Sequence, residues 1–289
     1  MKNVIITGGN SGLGFETAKK IAANKDYKII LACRNAEKGE SAKQKIIAET
    51  GNENVDSVSL DVSSLESVRA FAEEFAGRGE KIYALVNNAG ISSMGNSGVT
   101  KGGFDLVIET NYLGHFLLTQ LLLPYIEDGG RIYSVSSDMH NPPRGELVWT
   151  GAENILRAGG ESRQNYSFSK LFLIYMTHVL SQKLKESGKN VTANAFNPGF
   201  MGDTNFMKAG KISGAFVKHA MADRYGDLDK SSSALAQLVT GEEFAQISGE
   251  YFDRSVNTAK SSPLSYNDGN AKELWETSLK CVNLEEPSI

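Results

Sequence analysis

Cysteine is scarce in this chain: two residues in 289, Cys33 and Cys281. They lie far apart with no metal-type spacing. A disulfide scaffold is therefore excluded, and two reduced thiols of a cytosolic protein are expected. Positive charge is not in excess either; the net charge is -4. A general affinity for nucleic acid or an anionic membrane needs a basic face, which this composition does not supply. Long apolar runs are missing. The longest, HFLLTQLLLPYI, is too short and too polar to cross a bilayer, so no integral membrane segment is expected. Met1-Lys2 leads straight into NVIIT without the charged-then-apolar pattern of a signal peptide, and the expected location is cytoplasmic. The histidines, at 115, 140, 178 and 219, share no ligand spacing, so no metal is expected. His115 and His178 fall in helical patterns and read as structural. No repeat, low-complexity tract or linker interrupts the chain, which points to one domain over 1–289.

What is present is a regular alternation. Short β-branched runs at 4–7, 27–33, 55–60, 82–88, 131–137, 191–197 and 249–253 read as strands. Helical patterns fall between them at 12–23, 36–50, 64–76, 104–126, 164–186 and 230–241, with a last one at 270–283. Ser63 followed by Glu66 has the spacing of a capping box for the third helix. Strands alternating with helices predict the α/β class: a doubly wound parallel sheet of seven strands with helices on both faces, as in a Rossmann fold.

The first strand runs into TGGNSGLG and then a helix. Gly8, Gly12 and Gly14 are spaced so that the backbone can turn sharply and approach a pyrophosphate. Such a group would rest on the helix N-terminus, where unpaired N–H groups and the dipole favour anions. Asn10, Ser11 and Leu13 complete that loop. At the end of the second strand, where a dinucleotide without an extra phosphate meets an acid, the chain has ACRN. Arg34 there fits a 2′-phosphate, with Asn35 beside it and Lys38 a turn further. The expected cofactor is NADPH/NADP+.

NYSFSK places Tyr166 and Lys170 four residues apart, on one helix face. A free tyrosine has a pKa near ~10 and is a poor acid/base at neutral pH. The Lys170 ammonium, and the positive nicotinamide ring when the cofactor is oxidised, both favour tyrosinate, so together they are expected to lower the phenol pKa and let Tyr166 move protons near neutrality.

Taken together, these stretches resemble the short-chain dehydrogenase/reductase family over about the whole chain. TGGNSGLG is similar to its glycine loop, and Tyr166 with Lys170 to its YxxxK pair. The resemblance implies that Asp61, followed by Val62, holds the adenine ring. It implies that Asn88, Ala89 and Gly90 of NNAG, and Pro198 and Gly199 of NPG, line the cofactor. Asn111 would be the active-site asparagine, holding a water that links Lys170 to solvent. Ser137, rather than its neighbour Ser136, would be the active-site serine, steadying the charge that develops on the substrate oxygen. Lys170 would also bind the nicotinamide ribose, and Thr204 would touch the cofactor. The nearest subgroups are the retinol dehydrogenases and the light-dependent protochlorophyllide reductases, through ACRN, TNYLGHFLL and KELWETS. NNAG stands where the pigment reductases usually have Cys-Asn-Ala-Ala, which favours the retinol dehydrogenase side.

The resemblance implies an NADPH-dependent oxidoreductase acting on the carbonyl, or matching alcohol, of an apolar small molecule. The alternatives are a reductase of a ring C=C bond and a non-catalytic NADP(H)-sensing protein. Two segments are expected to form the substrate site: an insertion at 138–165 and a lid at 200–225. Met139, Leu147, Trp149, Leu156, Phe200, Met201, Phe206 and Met207 would make that site broad and apolar, with Phe216 and Met221 further candidates. Helices 104–126 and 164–186 pair between subunits in this family, so a homodimer is an expectation.

Overall fold

The computed structural model describes residues 1–93, 95–157, 164–200 and 226–285. Its frame is a seven-stranded sheet of β1 (Lys2–Thr7), β2 (Tyr27–Cys33), β3 (Val55–Ser59), β4 (Ile82–Asn87), β5 (Ile126–Val135), β6 (Val191–Phe196) and β7 (Tyr251–Phe252). The spatial order is β3-β2-β1-β4-β5-β6-β7, and every neighbouring pair is parallel. The central strands, VIIT, IILAC and IYALVN, are apolar along their length because both faces are covered. The chain builds outward from β1 in one direction, then returns to β4 and builds in the other. That reversal opens a crevice beyond the carboxyl ends of β1 and β4, where ligands of such sheets bind.

Helices α1 (Gly12–Ala22), α2 (Ala36–Thr50) and, later in the chain, α8 (Leu228–Thr240) cover one face through Leu13, Ile21, Ile46, Leu235 and Leu238. The other face carries α3 (Leu65–Gly77), α5 (Gly114–Leu122), α7 (Asn165–Glu186) and α9 (Asp268–Cys281). Two shorter helices, α4 (Leu106–Ile108) and α6 (Ala152–Leu156), precede α5 and α7. Each large aliphatic or aromatic side chain removed from water here contributes ~1.5–3 kcal/mol.

Two details depart from the sequence pattern near the site. The expected helix over 104–126 is not uniform. It begins as α4, passes through a π-helical segment (Glu109–Leu113), continues as α5 and ends in a 3₁₀ turn (Leu123–Tyr125). Asp105 fixes its start by accepting from the N–H groups of Val107 and Ile108, both at 3.0 Å. Gly114 fixes how closely it packs. A Cβ there would come within 2.9 Å of the Val62 carbonyl carbon and nearer still to its oxygen. The second departure is at α3, where Ser64 rather than Ser63 is the N-cap. The Ser64 hydroxyl accepts from the Ser67 N–H at 3.3 Å, whereas Ser63 donates to Asp61 at 2.6 Å.

α9 lies over α5 and α7. Trp275 meets Phe116 edge-on at 5.1 Å between ring centres, and the Tyr112 and Ser278 hydroxyls share a hydrogen bond of 2.8 Å. Within α5 only Leu121 keeps any notable exposure.

The carboxyl end of α8 is tied to the sheet. Buried Arg131 donates from one nitrogen to the carbonyls of Leu238, Val239 and Gly241 at 3.1, 3.0 and 2.7 Å. These are carbonyls that a helix end leaves without partners. At the other end, the Ser231 hydroxyl donates to the Pro198 carbonyl at 2.7 Å, and the Gly226 N–H donates to Phe200 at 2.9 Å. The chain therefore leaves the described fold at Phe200 and re-enters it at Gly226 across one hydrogen bond.

Candidate active site

The cofactor side is built from the ends of β1, β2 and β4. Gly8 and Gly12 take φ of +66° and +55°, a region where a Cβ is costly. Gly14 allows a third close approach: a Cβ there would stand 2.5 Å from the Asn88 side-chain nitrogen. That nitrogen donates to the Thr7 carbonyl at 2.7 Å, which locks the glycine loop onto the NNAG turn. Asn10 is half-buried and Leu13 buried beneath the loop. Ser11 precedes α1 in extended conformation and makes no side-chain cap, so the first amides of that helix keep their capacity to bind an anion. Cys33 lies under this loop. Burial pushes its thiol up to about 11, while the Gly9 and Asn10 backbones hydrogen-bond to it.

Arg34 and Lys38 are exposed at the start of α2 and engage no carboxylate among the described residues. Asn35 is used structurally, accepting from the Lys38 N–H at 2.8 Å as the N-cap of α2. Asp61 is half-buried, and one carboxylate oxygen accepts from the Ser63 N–H and hydroxyl at 3.0 and 2.6 Å. Val62 is buried against α5, Ala89 and Gly90 are half-buried beside the loop, and Pro198 and Gly199 are buried at the end of β6. A dinucleotide with a 2′-phosphate fits this set: unpaired helix amides under glycines, and two free cations at the end of β2.

The catalytic side gathers the four residues singled out from sequence. Tyr166 opens α7 and Lys170 follows one turn on, with its ammonium nitrogen 5.6 Å from the Tyr166 ring centre. Asp105 positions this start of the helix, because its second carboxylate oxygen accepts from Asn165 at 2.7 Å. Lys170 is 4% exposed and donates to the Val135 carbonyl at 2.8 Å. The two serines beyond β5 divide their work. The Ser136 hydroxyl donates to the Lys170 carbonyl at 2.8 Å and is buried, whereas Ser137 remains half-exposed and hydrogen-bonds the Tyr166 phenol. Of the two, Ser137 is the one that keeps exposed surface beside the phenol.

Asn111 lies in the π-helical segment, the kind of irregularity that recurs at functional sites. Its side chain is fully used. It accepts from the Ile91 N–H at 2.8 Å and donates to the Ile91 carbonyl and the Ser169 hydroxyl at 2.9 and 3.0 Å. Only its main-chain carbonyl is left for other work, and the imidazole of His115 reaches it at 3.0 Å.

The electrostatics differ from the sequence expectation. Burial pushes the Tyr166 phenol up to about 12, against a smaller lowering from Ser137. Burial also pushes Lys170 down to about 7. Desolvation outweighs the ammonium–phenol attraction because Lys170 turns its nitrogen to the Val135 carbonyl. Burial thus works against charge on both side chains: it favours the phenol form of Tyr166 and weakens the hold of Lys170 on its proton.

The substrate side is also corrected in part. Leu147, Trp149 and Leu156 do not line an opening. They pack onto the core beneath α7, and Trp149 stacks edge-on against Phe172 and Tyr175 at 6.0 Å from each. Glu273 of α9 holds that segment, accepting from the Trp149 indole at 2.9 Å and the Ala152 N–H at 2.7 Å. Met139 and Phe200 stay half-exposed. Met201, Thr204, Phe206, Met207, Phe216, His219 and Met221 lie outside the described residues. Beside Asp138 there is a cavity of about 300 Å³, whose walls include Asn197, Tyr251, Asp253, Arg254 and Lys260; Ser137, Tyr166 and Lys170 are not among its lining residues. Among the described residues no group of histidine, cysteine and carboxylate side chains is placed to hold a metal.

Sequence reasoning passed over Asp105, Thr7 and Ser169, which hold Asn165, the NNAG turn and Asn111 in place. Nothing local marks them; Asp105 and Asn165 are 60 residues apart.

Comparison with known proteins agrees with this geometry. The family model described as short chain dehydrogenase matches residues 2–211. Human retinol dehydrogenase 13 is 35% identical over 100% of this chain and 86% of its own length. The chloroplastic short-chain dehydrogenase TIC 32 A of Brassica napus is 29% identical over 96% of this chain and 88% of its own. Among solved structures, a short chain dehydrogenase from Burkholderia cenocepacia in complex with NADP superposes with a TM-score of 0.69. It is 25% identical over 87% of this chain and 95% of its own.

Proposed function

From the premise that this chain belongs to the short chain dehydrogenase family, we propose that it is an NADPH-dependent oxidoreductase. It reduces a carbonyl, or oxidises the matching alcohol, of an apolar small molecule of the retinoid, steroid or aryl type. The observation that carries this reading is the convergence of Ser137, Tyr166, Lys170 and Asn111 beside a glycine cradle whose nearest free cation is Arg34. The similarity to retinol dehydrogenases supports the substrate class.

The bound cofactor would supply the hydride. The chain's own residues do the rest. Tyr166, favoured as the phenol by burial, donates its phenolic proton to the substrate oxygen in the reductive direction. Ser137 donates a second hydrogen bond to that oxygen and steadies its developing charge. Lys170 exchanges protons near neutrality and restores the phenol after each turnover; it also reaches the nicotinamide ribose. Asn111 holds the wall at Ile91 through its side chain. Arg34 and Lys38 would take the 2′-phosphate, the first amides of α1 the pyrophosphate, Asp61 the adenine, and Thr204 the nicotinamide amide or the cofactor phosphates. The location in the cell is proposed as cytoplasmic.

A charge-assisted contact between Arg34 and the 2′-phosphate is worth a few kcal/mol, and ~2.7 kcal/mol is a hundredfold in affinity. The test compares kcat/KM for NADPH and NADH with a panel of ketones, aldehydes and retinoids, in the wild type and in Arg34→Ala. NADPH should be preferred, and the preference should largely vanish in the variant. Equal values for the two cofactors in the wild type would sink the cofactor assignment. Turnover of small polar ketones in preference to bulky ones would sink the substrate class.

A further inference from the structure

His115 has no exposed surface and lies one helical turn beyond Asn111. Both ring nitrogens are occupied. Nδ1 stands 3.0 Å from the Asn111 carbonyl oxygen, and Nε2 stands 2.9 Å from the Thr7 hydroxyl. A carbonyl can only accept, so Nδ1 carries the hydrogen. In a neutral ring Nε2 must then accept, and the Thr7 hydroxyl points its hydrogen there. The two lone pairs of that hydroxyl are taken by the N–H groups of Asn88 and Ala89, at 2.8 and 2.9 Å. The Val86 carbonyl also lies within reach of the hydroxyl hydrogen, at 3.4 Å, but Nε2 at 2.9 Å is the nearer acceptor. Burial, aided by the nearby positive charge of Lys170, pushes the imidazole down to about 4, which keeps it neutral.

The three segments so joined are the end of β1 that enters the glycine loop, the NNAG turn, and the carbonyl of Asn111. On the reading above, these are the two walls of the nicotinamide end of the cleft. We propose that His115, as its Nδ1–H tautomer, is a positioning residue that holds the NNAG turn and Asn111 in register, rather than a core histidine. The proposal rests on the proposed function for its meaning in catalysis, but its geometry can be tested without turnover.

The first measurement is nitrogen-15 NMR of the full-length protein labelled in histidine. The expected result is a neutral His115 ring with the hydrogen on Nδ1, the tautomer that free imidazole disfavours. A ring protonated on Nε2 overturns the proposal whatever the enzyme does. The second measurement compares His115→Phe, which keeps an aromatic ring and loses both bonds, with His115→Asn and His115→Gln. Asparagine restores a donor near the Nδ1 position and glutamine a group near Nε2. NADPH affinity is read from nicotinamide fluorescence, and kcat well below each variant's melting temperature. The phenylalanine variant should bind NADPH about tenfold more weakly and lose at least about tenfold in kcat, with the other two falling between it and the wild type. A folded phenylalanine variant with wild-type affinity and kcat would make His115 merely structural. If the wild type turns over no carbonyl, the functional reading fails, while tautomer and affinity still decide this one.

Discussion

Replacing Gly114 by alanine sets two effects of opposite sign against each other. In a helix, alanine is better than glycine by ~1 kcal/mol, so an open site would be stabilised. At Gly114 the new Cβ would stand 2.9 Å from the Val62 carbonyl carbon and closer to its oxygen. Carbon atoms settle at about 3.5–4.0 Å, so α5 must retreat from Val62 by about an ångström or more. It cannot do so freely, because α5 is buried between α3 and the sheet and carries Phe116 into the contact with Trp275. Overpacking of this kind costs ~1–3 kcal/mol, occasionally more. The upper end applies, since the obstacle is backbone and cannot rotate aside. The net loss is then about 2 kcal/mol, which lowers Tm by roughly 4–8 °C in a chain of this size. Gly77, at the end of α3, is the control: a Cβ there meets nothing within 4 Å. Thermal and urea unfolding should place Gly114→Ala below the wild type and Gly77→Ala at or above it. A Gly114→Ala protein as stable as the wild type would refute the close approach of α5 to Val62, and with it the packing that sets Asn111.

Tyr166→Phe should lower kcat by ~10²–10⁴-fold with NADPH affinity nearly unchanged, because only the proton carrier is removed; activity above about a tenth of wild type would defeat the assignment. Ser137→Ala should cost ~10²–10³-fold in kcat, whereas Ser136→Ala, which loses the bond to the Lys170 carbonyl, should lose about 1 kcal/mol of stability and much less kcat. The reverse ranking would show that the other serine faces the substrate. Glu109 is 1% exposed, and its carboxyl is raised above the ordinary range chiefly by burial. A raised folded-state pKa costs nothing below the unfolded value and destabilises as pH climbs through the unfolded value toward the folded one. Glu109→Gln should therefore gain on the wild type in urea unfolding as pH rises above the ordinary glutamate value of about 4.3; a difference that stays constant as pH rises would contradict it.

The frame was legible because buried parallel strands write themselves as apolar runs such as VIIT and IILAC, and because Gly8 and Gly12 are needed where φ is positive. The choice of Ser64 over Ser63 was not legible, since both spacings offer a hydroxyl near the first turn. The π segment was hidden because the apolar pattern runs through it unbroken, and the close approach of Val62 to Gly114 at its end involves a different part of the chain. The protonation of Tyr166 and Lys170 was misjudged for a related reason. Spacing on a helix shows which charges are neighbours, but the water removed from both is set by β5 and by the residues around them. Trp149 and Leu156 looked like pocket residues because an apolar side chain in an insertion has no local mark of which way it packs.

The hydrogen bond from Gly226 to Phe200 joins two residues 26 positions apart in the sequence. The posts on either side are fixed by other interactions: Ser231 on Pro198, and Arg131 at the far end of α8. The junction is thus a clasp held from β6, β5 and both ends of α8, and no single bond decides where it sits. Loss of any one of these hydrogen bonds costs only about 1 kcal/mol, so the two chain segments that meet there stay side by side as long as the others hold.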